Sequence, residues 1–236
     1  MTPGIIVALD LPMPEEALAL VDRLGDAVDY YKVGVPLFTL GGPAVIAGLK
    51  ARQRRVFLDL KLHDIPSTVA RAVRAAASLD VDMLTLHVSG GPAMMAAARE
   101  AVAEGGPRLL GVTILTSAHA SEVEQVWAKE VHSIRDEVSR LAALAAECGL
   151  DGVVASPLEA EAIKRRHGPL FLVATPGVRP GGAEAADQSR IATPLEAMRA
   201  GADFLVIGRP IIEAEDPAAA VDHIIDEISG FRPVAG

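Results

Sequence analysis

The charged residues best placed for chemistry lie in one short segment, residues 56–68, which reads VFLDLKLHDIPST. Asp59 and Lys61 are two positions apart, so in a β-strand their side chains share one face and the neighbouring leucines take the other. A buried carboxylate or ammonium is stable only when it is paired or bound to a ligand. The segment therefore predicts a charged pair pointing away from the leucines, either as a structural ion pair or as a catalytic pair.

The end of the same segment predicts a strand-to-helix turn. Asp64 comes three residues after Lys61, where the strand gives way to a loop, and Pro66 ends that turn. Ser67 and Thr68 are of the residue types that cap helices, so we expect one of these hydroxyls to cap the next helix.

Other apolar runs of the chain also end in polar or basic residues or, in the second run, contain one. The residues that occupy such positions are Asp10, Lys32, His87, Thr116, Ser156 and Arg209. In a barrel of parallel strands the C-terminal strand ends all meet at one mouth, which is where active sites of such barrels lie. The pattern predicts one site built from several strand ends.

The elements that position these residues are short β-branched runs separated by Ala-rich helical segments. The predicted strands are Ile5–Leu9, Tyr31–Val35, Val56–Leu60, Met83–His87, Leu109–Leu115, Gly152–Ala155, Leu170–Ala174 and Phe204–Ile207. The clearest predicted helices are Glu15–Leu24, Val69–Leu79, Ala93–Ala103, Asp136–Glu147 and Ala218–Ile228. Eight strands at a spacing of about 30 residues predict a single (β/α)₈ TIM barrel over residues 1–236, in the α/β class.

An open, doubly wound sheet is the alternative fold. Its dinucleotide-binding members carry a GxGxxG motif after the first strand, and this chain has no such motif there.

Composition excludes several classes of function. The formal net charge is −9 and no basic run occurs, so we expect no nucleic-acid partner. The longest charge-free stretch, residues 33–49, contains four glycines and two prolines, and we expect no membrane span. Cys148 is the only cysteine and the N-terminus is unlike a signal peptide, so we expect a cytoplasmic protein.

The segment DLKLHDIPSTV resembles the D-x-K-x-x-D signature of the orotidine 5′-monophosphate decarboxylase family in its bacterial form. Sugar-phosphate decarboxylases and aldol-type synthases share that signature, so other motifs must separate them. IIVALD, YYKVGVPLF, GVTILTS, TPGVRP with DQSR, and FLVIGRPI resemble further segments of the decarboxylase family in family order, across residues 5–212.

The resemblance implies roles for the charged residues. Lys61 is expected to protonate C6 of the pyrimidine after CO₂ leaves, and Asp59 to face the departing carboxylate and hold Lys61. Lys32 and Asp64 are expected to complete an alternating charge network, in which each charge has an opposite neighbour. Asp10 and Lys32 would also bind the ribose hydroxyls, and Thr116 would contact the base or ribose, with Ser117 as the alternative.

Phosphate binding is expected from the last two barrel units. Gly208 allows close approach of the backbone, and Arg209 offers a fork of donors to phosphate oxygens. The polar segment 179–190, which contains Arg179 and Gln188, is typical of a lid, and Gln188 would bridge phosphate and base when it closes.

The resemblance extends the expected substrate contacts to the whole motif. Its members are Asp59, Leu60, Lys61, Leu62, His63, Asp64, Ile65, Pro66, Ser67 and Thr68. It further implies a homodimer with shared active sites, in which Asp64 and Thr68 reach the neighbour's site. We expect neither a metal nor a cofactor.

Two alternatives remain at this point. A metal-dependent sugar-phosphate decarboxylase or aldol-type synthase of the same superfamily would need a further carboxylate at a metal site. A non-catalytic barrel that acts as a binding protein would have no need for Asp59 and Lys61 on one inward face.

Overall fold

The computed structural model describes residues 4–180 and 192–229, and these form a closed barrel of eight parallel strands. The strands follow one another around the barrel in chain order, and β8 pairs with β1 to close it. Their bounds are β1 Gly4–Ala8, β2 Tyr30–Gly34, β3 Arg55–Leu62, β4 Met83–His87, β5 Arg108–Val112, β6 Gly152–Val154, β7 Leu172–Thr175 and β8 Phe204–Ile207. The predicted barrel is confirmed, and the open sheet is wrong.

Three strand boundaries differ from the prediction by two residues or more. β5 ends at Val112, so Thr116 lies in the following loop, and β3 continues to Leu62. β7 begins only at Leu172, because Leu170 is an exposed apolar residue that precedes the sheet.

Helices alternate with the strands, as predicted. In the described ranges they are α1 Pro14–Leu24, α2 Val35–Ala51, α3 Pro66–Ala77, α4 Pro92–Glu100, α5 Ala120–Trp127, α6 Ile134–Glu147, α7 Pro157–His167, α8 Pro194–Arg199, α9 Arg209–Ile212 and α10 Pro217–Ser229. A break at Gly42, whose φ is +53°, divides α2. None of the described helices is both long enough and apolar enough to cross a membrane.

Proline marks the first residue of six of these helices, because a first-turn residue needs no N–H and its φ is already helical. This explains why four of the five predicted starts fall one to three residues late, as at α3, which begins at Pro66. The predicted hydroxyl cap of α3 is wrong. Ile65 occupies the cap position and no side chain caps the helix, since Ser67 and Thr68 already lie inside its first turn.

Two apolar clusters hold the barrel together. The larger one lies between the sheet and the helices, and leucines such as Leu58 and Leu86 contribute to it. The smaller one fills the barrel interior with side chains from successive strands, including Ile6, Tyr30 and Phe57. The interior is thus a packed floor, and the polar residues of the strands lie above it, toward the C-terminal ends.

Aspartates fasten neighbouring strands at the opposite, N-terminal end of the barrel. Asp82, Asp151 and Asp203 each precede an even-numbered strand, and each carboxylate accepts a hydrogen bond from a backbone N–H of the preceding strand. The three donors are Val56, Leu109 and Val173, at 2.8, 2.8 and 2.7 Å. A basic side chain from one of the surrounding helices pairs with each carboxylate. These residues are Lys50 at 3.5 Å, Arg99 at 3.4 Å and Lys164 at 2.6 Å.

We predict that Asp82→Ala lowers the free energy of unfolding by about 2 kcal/mol, because the Val56 N–H loses its acceptor in a partly buried setting. Asp80 also pairs with Lys50, at 3.0 Å, but is exposed and binds no strand N–H, so Asp80→Asn is the matched control. Asparagine tolerates the φ of +57° at that position. Urea unfolding of both variants measures the difference, and equal losses would contradict this role of Asp82.

Candidate active site

A chain of alternating charges crosses the first three strands at the mouth of the barrel. Asp10, just after β1, lies 3.0 Å from Lys32 Nζ of β2. Lys32 Nζ lies 3.8 Å from Asp59 Oδ2 of β3, and Lys61 Nζ donates to the same oxygen at 2.7 Å. The sequence-predicted pairing of Asp59 with Lys61 and Lys32 is therefore present, on the inward face opposite the leucines.

Strand β3 is irregular where it carries these charges. Its register with β4 shifts between Leu58, paired with Leu84, and Leu62, paired with Leu86. Within the irregular stretch Lys61 has a φ of +51°, a left-handed conformation that is unusual for a lysine. The Thr85 hydroxyl of β4 accepts a hydrogen bond from the Lys61 backbone N–H at 2.9 Å and donates to Asp59 Oδ1 at 2.8 Å.

The environment of Asp59 favours its charged form. Only 8% of the residue is exposed. Burial acts to raise the pKa of this carboxyl, but the charges of Lys32 and Lys61 and the hydrogen bonds from Lys61 and Thr85 outweigh it. The pKa of Asp59 therefore lies below its usual value, and the carboxylate is ionised at neutral pH.

The charge chain forms one wall of a cavity of about 470 Å³ at the C-terminal ends of the strands. The facing wall is apolar and comes largely from later strands and their loops. Its members include Val112, Ile114, Val154 and Val206. Phe57 and Ala8, which also line the cavity, join it to the packed floor of the barrel. A ligand here meets fixed charges on one side and a water-excluding surface on the other.

The loops after β5, β7 and β8 supply further polar groups to this cavity: Thr116, Arg179, Gly208 and Arg209. A Cβ added at Gly208 would lie 3.4 Å from Asp10 Oδ2 and 3.5 Å from the Ala8 Cβ, which are ordinary contacts. Packing within the chain therefore does not demand glycine at 208. Gly208 lines the cavity, and without a side chain it lets a ligand approach its backbone closely.

Eight of the sequence-predicted site residues line the cavity: Asp10, Lys32, Asp59, Lys61, Thr116, Arg179, Gly208 and Arg209. The rest of the motif does not line the cavity of a single chain: Leu60, Leu62, His63, Asp64, Ile65, Pro66, Ser67 and Thr68. Leu60 and Leu62 pack against the outer apolar cluster, and residues 63–67 are exposed. Gln188 and most of the predicted lid lie outside the described residues.

Sequence reasoning missed Thr85 and the apolar wall. A threonine inside a buried strand is indistinguishable by pattern from one that only packs, because threonine is common in strands. The apolar wall looks like core in the sequence for the same reason. Among the described residues, no group of three or more His, Cys, Asp or Glu side chains is arranged to hold a metal ion.

Known proteins resemble this chain along nearly its whole length. Residues 3–224 match the family described as "Orotidine 5'-phosphate decarboxylase / HUMPS family". The orotidine 5′-phosphate decarboxylase of Nitrosospira multiformis is 47% identical, covering 99% of this chain and 97% of that protein. The enzyme of the same name from Halorhodospira halophila is 52% identical, covering 96% of each.

Solved structures agree with the sequence relatives. The crystal structure of orotidine 5′-phosphate decarboxylase from Lactobacillus acidophilus superposes with a TM-score of 0.85 at 36% identity, covering 97% of this chain and 100% of that chain. The enzyme from Pyrococcus horikoshii superposes with a TM-score of 0.77 at 26% identity, covering 96% of this chain and 100% of that chain.

We predict that Asp59→Asn lowers the free energy of unfolding by about 3 kcal/mol at pH 7, because Lys32 and Lys61 lose their buried counter-ion. The folded-state pKa of Asp59 lies below its unfolded value of about 3.9, so the stability it contributes is complete above that value. It is lost as the pH falls through the lower, folded-state pKa.

Urea unfolding of wild type and Asp59→Asn between pH 7 and pH 3 tests this prediction. The difference should stay constant down to about pH 4 and shrink below it. A difference that instead grows as the pH falls from about 7 to 5 would mean that burial wins and the pKa of Asp59 is raised. Asp22→Asn, which removes an exposed carboxylate bound by Arg52, is the control and should differ little from wild type.

Proposed function

The chain belongs to the orotidine 5′-phosphate decarboxylase / HUMPS family, and from this premise we propose that it converts orotidine 5′-monophosphate to UMP and CO₂ in pyrimidine nucleotide biosynthesis. The observation that carries the proposal is the Asp10–Lys32–Asp59–Lys61 charge chain against an apolar wall, with Arg209 in the same cavity. The names of relatives at 47% and 52% identity support this substrate over the other members of the family.

Lys61 is the proposed proton donor. When the bond between C6 and the carboxylate breaks, its electron pair stays on C6, where the ring stabilises it poorly. A fixed ammonium beside C6 stabilises the developing charge and then supplies the proton that forms the C6–H bond. Water returns a proton to the neutral amine. The hydrogen bond from Lys61 Nζ to Asp59 Oδ2, at 2.7 Å, supports this role because it holds the ammonium at the cavity wall.

Asp59 is proposed to do two things. It orients Lys61, and it places a negative charge next to the carboxylate that leaves. Loss of CO₂ then relieves the electrostatic repulsion between the two carboxylates. Lys32 bridges Asp59 and Asp10, which keeps Asp59 ionised and links the reacting end of the cavity to the ribose-binding end. Asp10, of which the side chain is 56% exposed, and Lys32 are proposed to bind the ribose hydroxyls.

The phosphate is proposed to bind at Arg209 and the backbone of Gly208, with Arg179 beside them and Gln188 closing over the substrate. The presence of Gly208 and of two guanidinium groups, those of Arg179 and Arg209, among the cavity residues supports this assignment. Binding energy from this remote group would then assist the chemistry at C6. Thr116 is proposed to contact the base or ribose.

We further propose that the reaction needs no metal or cofactor and takes place in the cytoplasm. The rival is a metal-dependent sugar-phosphate decarboxylase or aldol-type synthase, for which a divalent cation would be required.

We predict that the purified protein consumes orotidine 5′-monophosphate in excess EDTA, followed by ultraviolet absorbance. Lys61→Ala should abolish turnover, since Lys61 is the proposed proton donor and the other ammonium of the charge chain, Lys32, is bound to Asp10 at 3.0 Å. Lys129, which pairs with Glu137 away from the cavity, gives the matched control: Lys129→Ala should retain wild-type activity. Lys61→Ala activity within about tenfold of wild type would contradict the mechanism, and a strict need for Mg²⁺ would favour the rival.

The exposed end of the motif is proposed to serve a second copy of the chain in a homodimer. Asp64 is exposed; its Oδ1 accepts a hydrogen bond from the Ile65 N–H at 2.6 Å, and it pairs with no described cation, Lys61 included. Exposed apolar side chains lie at the same rim: Ile65, and Val35 and Leu40 of α2, which follows the adjacent strand β2. We propose that this rim packs against its two-fold copy and that Asp64 and Thr68 enter the partner's site.

Mixed dimers test the shared site. Lys61→Ala and Asp64→Asn homodimers should each be nearly inactive, and the two are mixed, denatured and refolded together. In a mixed dimer one site collects both substitutions and the other collects neither. Random pairing makes about half of the dimers mixed, so roughly a quarter of wild-type activity should return.

The control is each variant refolded alone, which should stay inactive. If mixed dimers form and activity does not return, Asp64 serves its own barrel.

A further inference from the structure

Thr85 lies opposite the irregular part of β3 and is completely buried. Between the paired positions Leu58–Leu84 and Leu62–Leu86, β3 contains three residues, 59–61, whereas β4 contains Thr85 alone. The regular ladder of backbone hydrogen bonds is therefore interrupted where the catalytic charges are carried. A buried backbone N–H left without a partner in such a gap would destabilise the fold.

The Thr85 hydroxyl fills this gap, and its orientation follows from its partners. A backbone N–H can only donate, so the bond from Lys61 N at 2.9 Å occupies a lone pair of the hydroxyl oxygen. The single hydroxyl proton is then directed to Asp59 Oδ1 at 2.8 Å. Both side-chain bonds of Thr85 are thus made to the two residues proposed for the chemistry, one to a backbone and one to a carboxylate.

This arrangement gives the two carboxylate oxygens of Asp59 different partners. Oδ1 is taken by Thr85, while Oδ2 receives Lys61 Nζ at 2.7 Å and lies 3.8 Å from Lys32 Nζ. Rotation of the carboxylate would break the Thr85 bond and also move Oδ2 away from the lysines. One neutral hydroxyl therefore determines which way the carboxylate faces the cavity.

We propose that Thr85 is a positioning residue for the decarboxylation, acting through Asp59 and through the left-handed backbone of Lys61. The inference rests on the proposed function for its kinetic part, whereas its structural part concerns the orientation and ionisation of Asp59 alone. Thr85 does not line the cavity, so it has no contact with substrate and no catalytic role of its own.

The hydrogen bond from Thr85 also favours the ionised form of Asp59 and so lowers its pKa. The other charged or titratable groups around Asp59 are Lys32 on β2, Lys61 on β3 and His87 on β4, with Asp10 beyond Lys32. Burial holds the pKa of His87 below its usual value, as do the neighbouring His63 and Lys61, so this imidazole is neutral at pH 7. Removing the hydroxyl leaves the two lysines as the main groups that keep Asp59 charged.

The test compares variants with and without the hydroxyl. Thr85→Val keeps the β-branched shape, Thr85→Ala removes volume as well, and Thr85→Ser keeps the hydroxyl. Thr113, also buried, donates its hydroxyl hydrogen bond to the Val154 carbonyl at 3.0 Å and not to Asp59, so Thr113→Val is the matched control for losing a buried hydroxyl bond.

We expect Thr85→Val and Thr85→Ala to lower kcat for orotidine 5′-monophosphate by roughly ten- to a hundredfold, with Thr85→Ser and Thr113→Val within about threefold of wild type. The dissociation constant of UMP, which lacks the reacting carboxylate, should stay within about threefold of wild type in every variant. The acid limb of the kcat profile should move to higher pH in the two variants that lack the hydroxyl, because the pKa of Asp59 rises.

Unfolding by urea as a function of pH separates failure of this inference from failure of the proposed function. In Thr85→Val the stability contributed by ionised Asp59 should be lost at a higher pH than in wild type, whatever reaction the protein catalyses. An unchanged pH dependence of stability and of kcat in Thr85→Val would overturn the positioning role. A loss of kcat in Thr113→Val as large as in Thr85→Val would overturn it too, since any buried threonine would then do the same.

Discussion

The site depends on one constraint: a buried carboxylate must stay ionised while facing the apolar wall of a cavity. Asp59 is 8% exposed, and burial alone would favour its neutral form. Two ammonium groups and a hydroxyl reverse that preference, and they come from three neighbouring strands, β2, β3 and β4. Only a sheet that holds these strands in fixed register can supply all three partners to one carboxylate.

The rest of the barrel can be understood as support for that register. The packed floor beneath the charges excludes water from below, and the aspartates at the N-terminal ends join neighbouring strands. The irregular stretch of β3 costs about 1–3 kcal/mol for the left-handed backbone of Lys61, and packing elsewhere must offset it. With this backbone conformation the Lys61 ammonium donates a hydrogen bond to Asp59, and the Lys61 backbone N–H donates one to the Thr85 hydroxyl.

Much of this could be predicted from sequence, for reasons that lie in particular residues. The periodicity of β-branched runs predicts the closed barrel, and the two-residue spacing of Asp59 and Lys61 predicts an inward pair. The alternation of polar and apolar residues along β3 could not reveal its register shift. The shift depends on how β3 pairs with β4, and it leaves no pattern in the sequence of β3 itself. Thr85 escapes prediction because a threonine in a buried strand looks the same in sequence whether it packs or positions a catalytic group. Four of the five predicted helix starts fall late because prolines, which end helices elsewhere, begin those helices here. Gln188 lies outside the described residues and stays a prediction.

The central claim is that the Asp59–Lys61 pair faces C6 of the bound pyrimidine while the phosphate lies at Arg209. A crystal structure of the protein with UMP measures this most directly. We predict that Lys61 Nζ is the protein nitrogen nearest to C6, at about the distance of a hydrogen bond, roughly 3 Å, with the phosphate oxygens on Arg209 and the Gly208 backbone. A nucleotide bound with C6 turned away from Lys61, or with its phosphate away from Arg209, would contradict it.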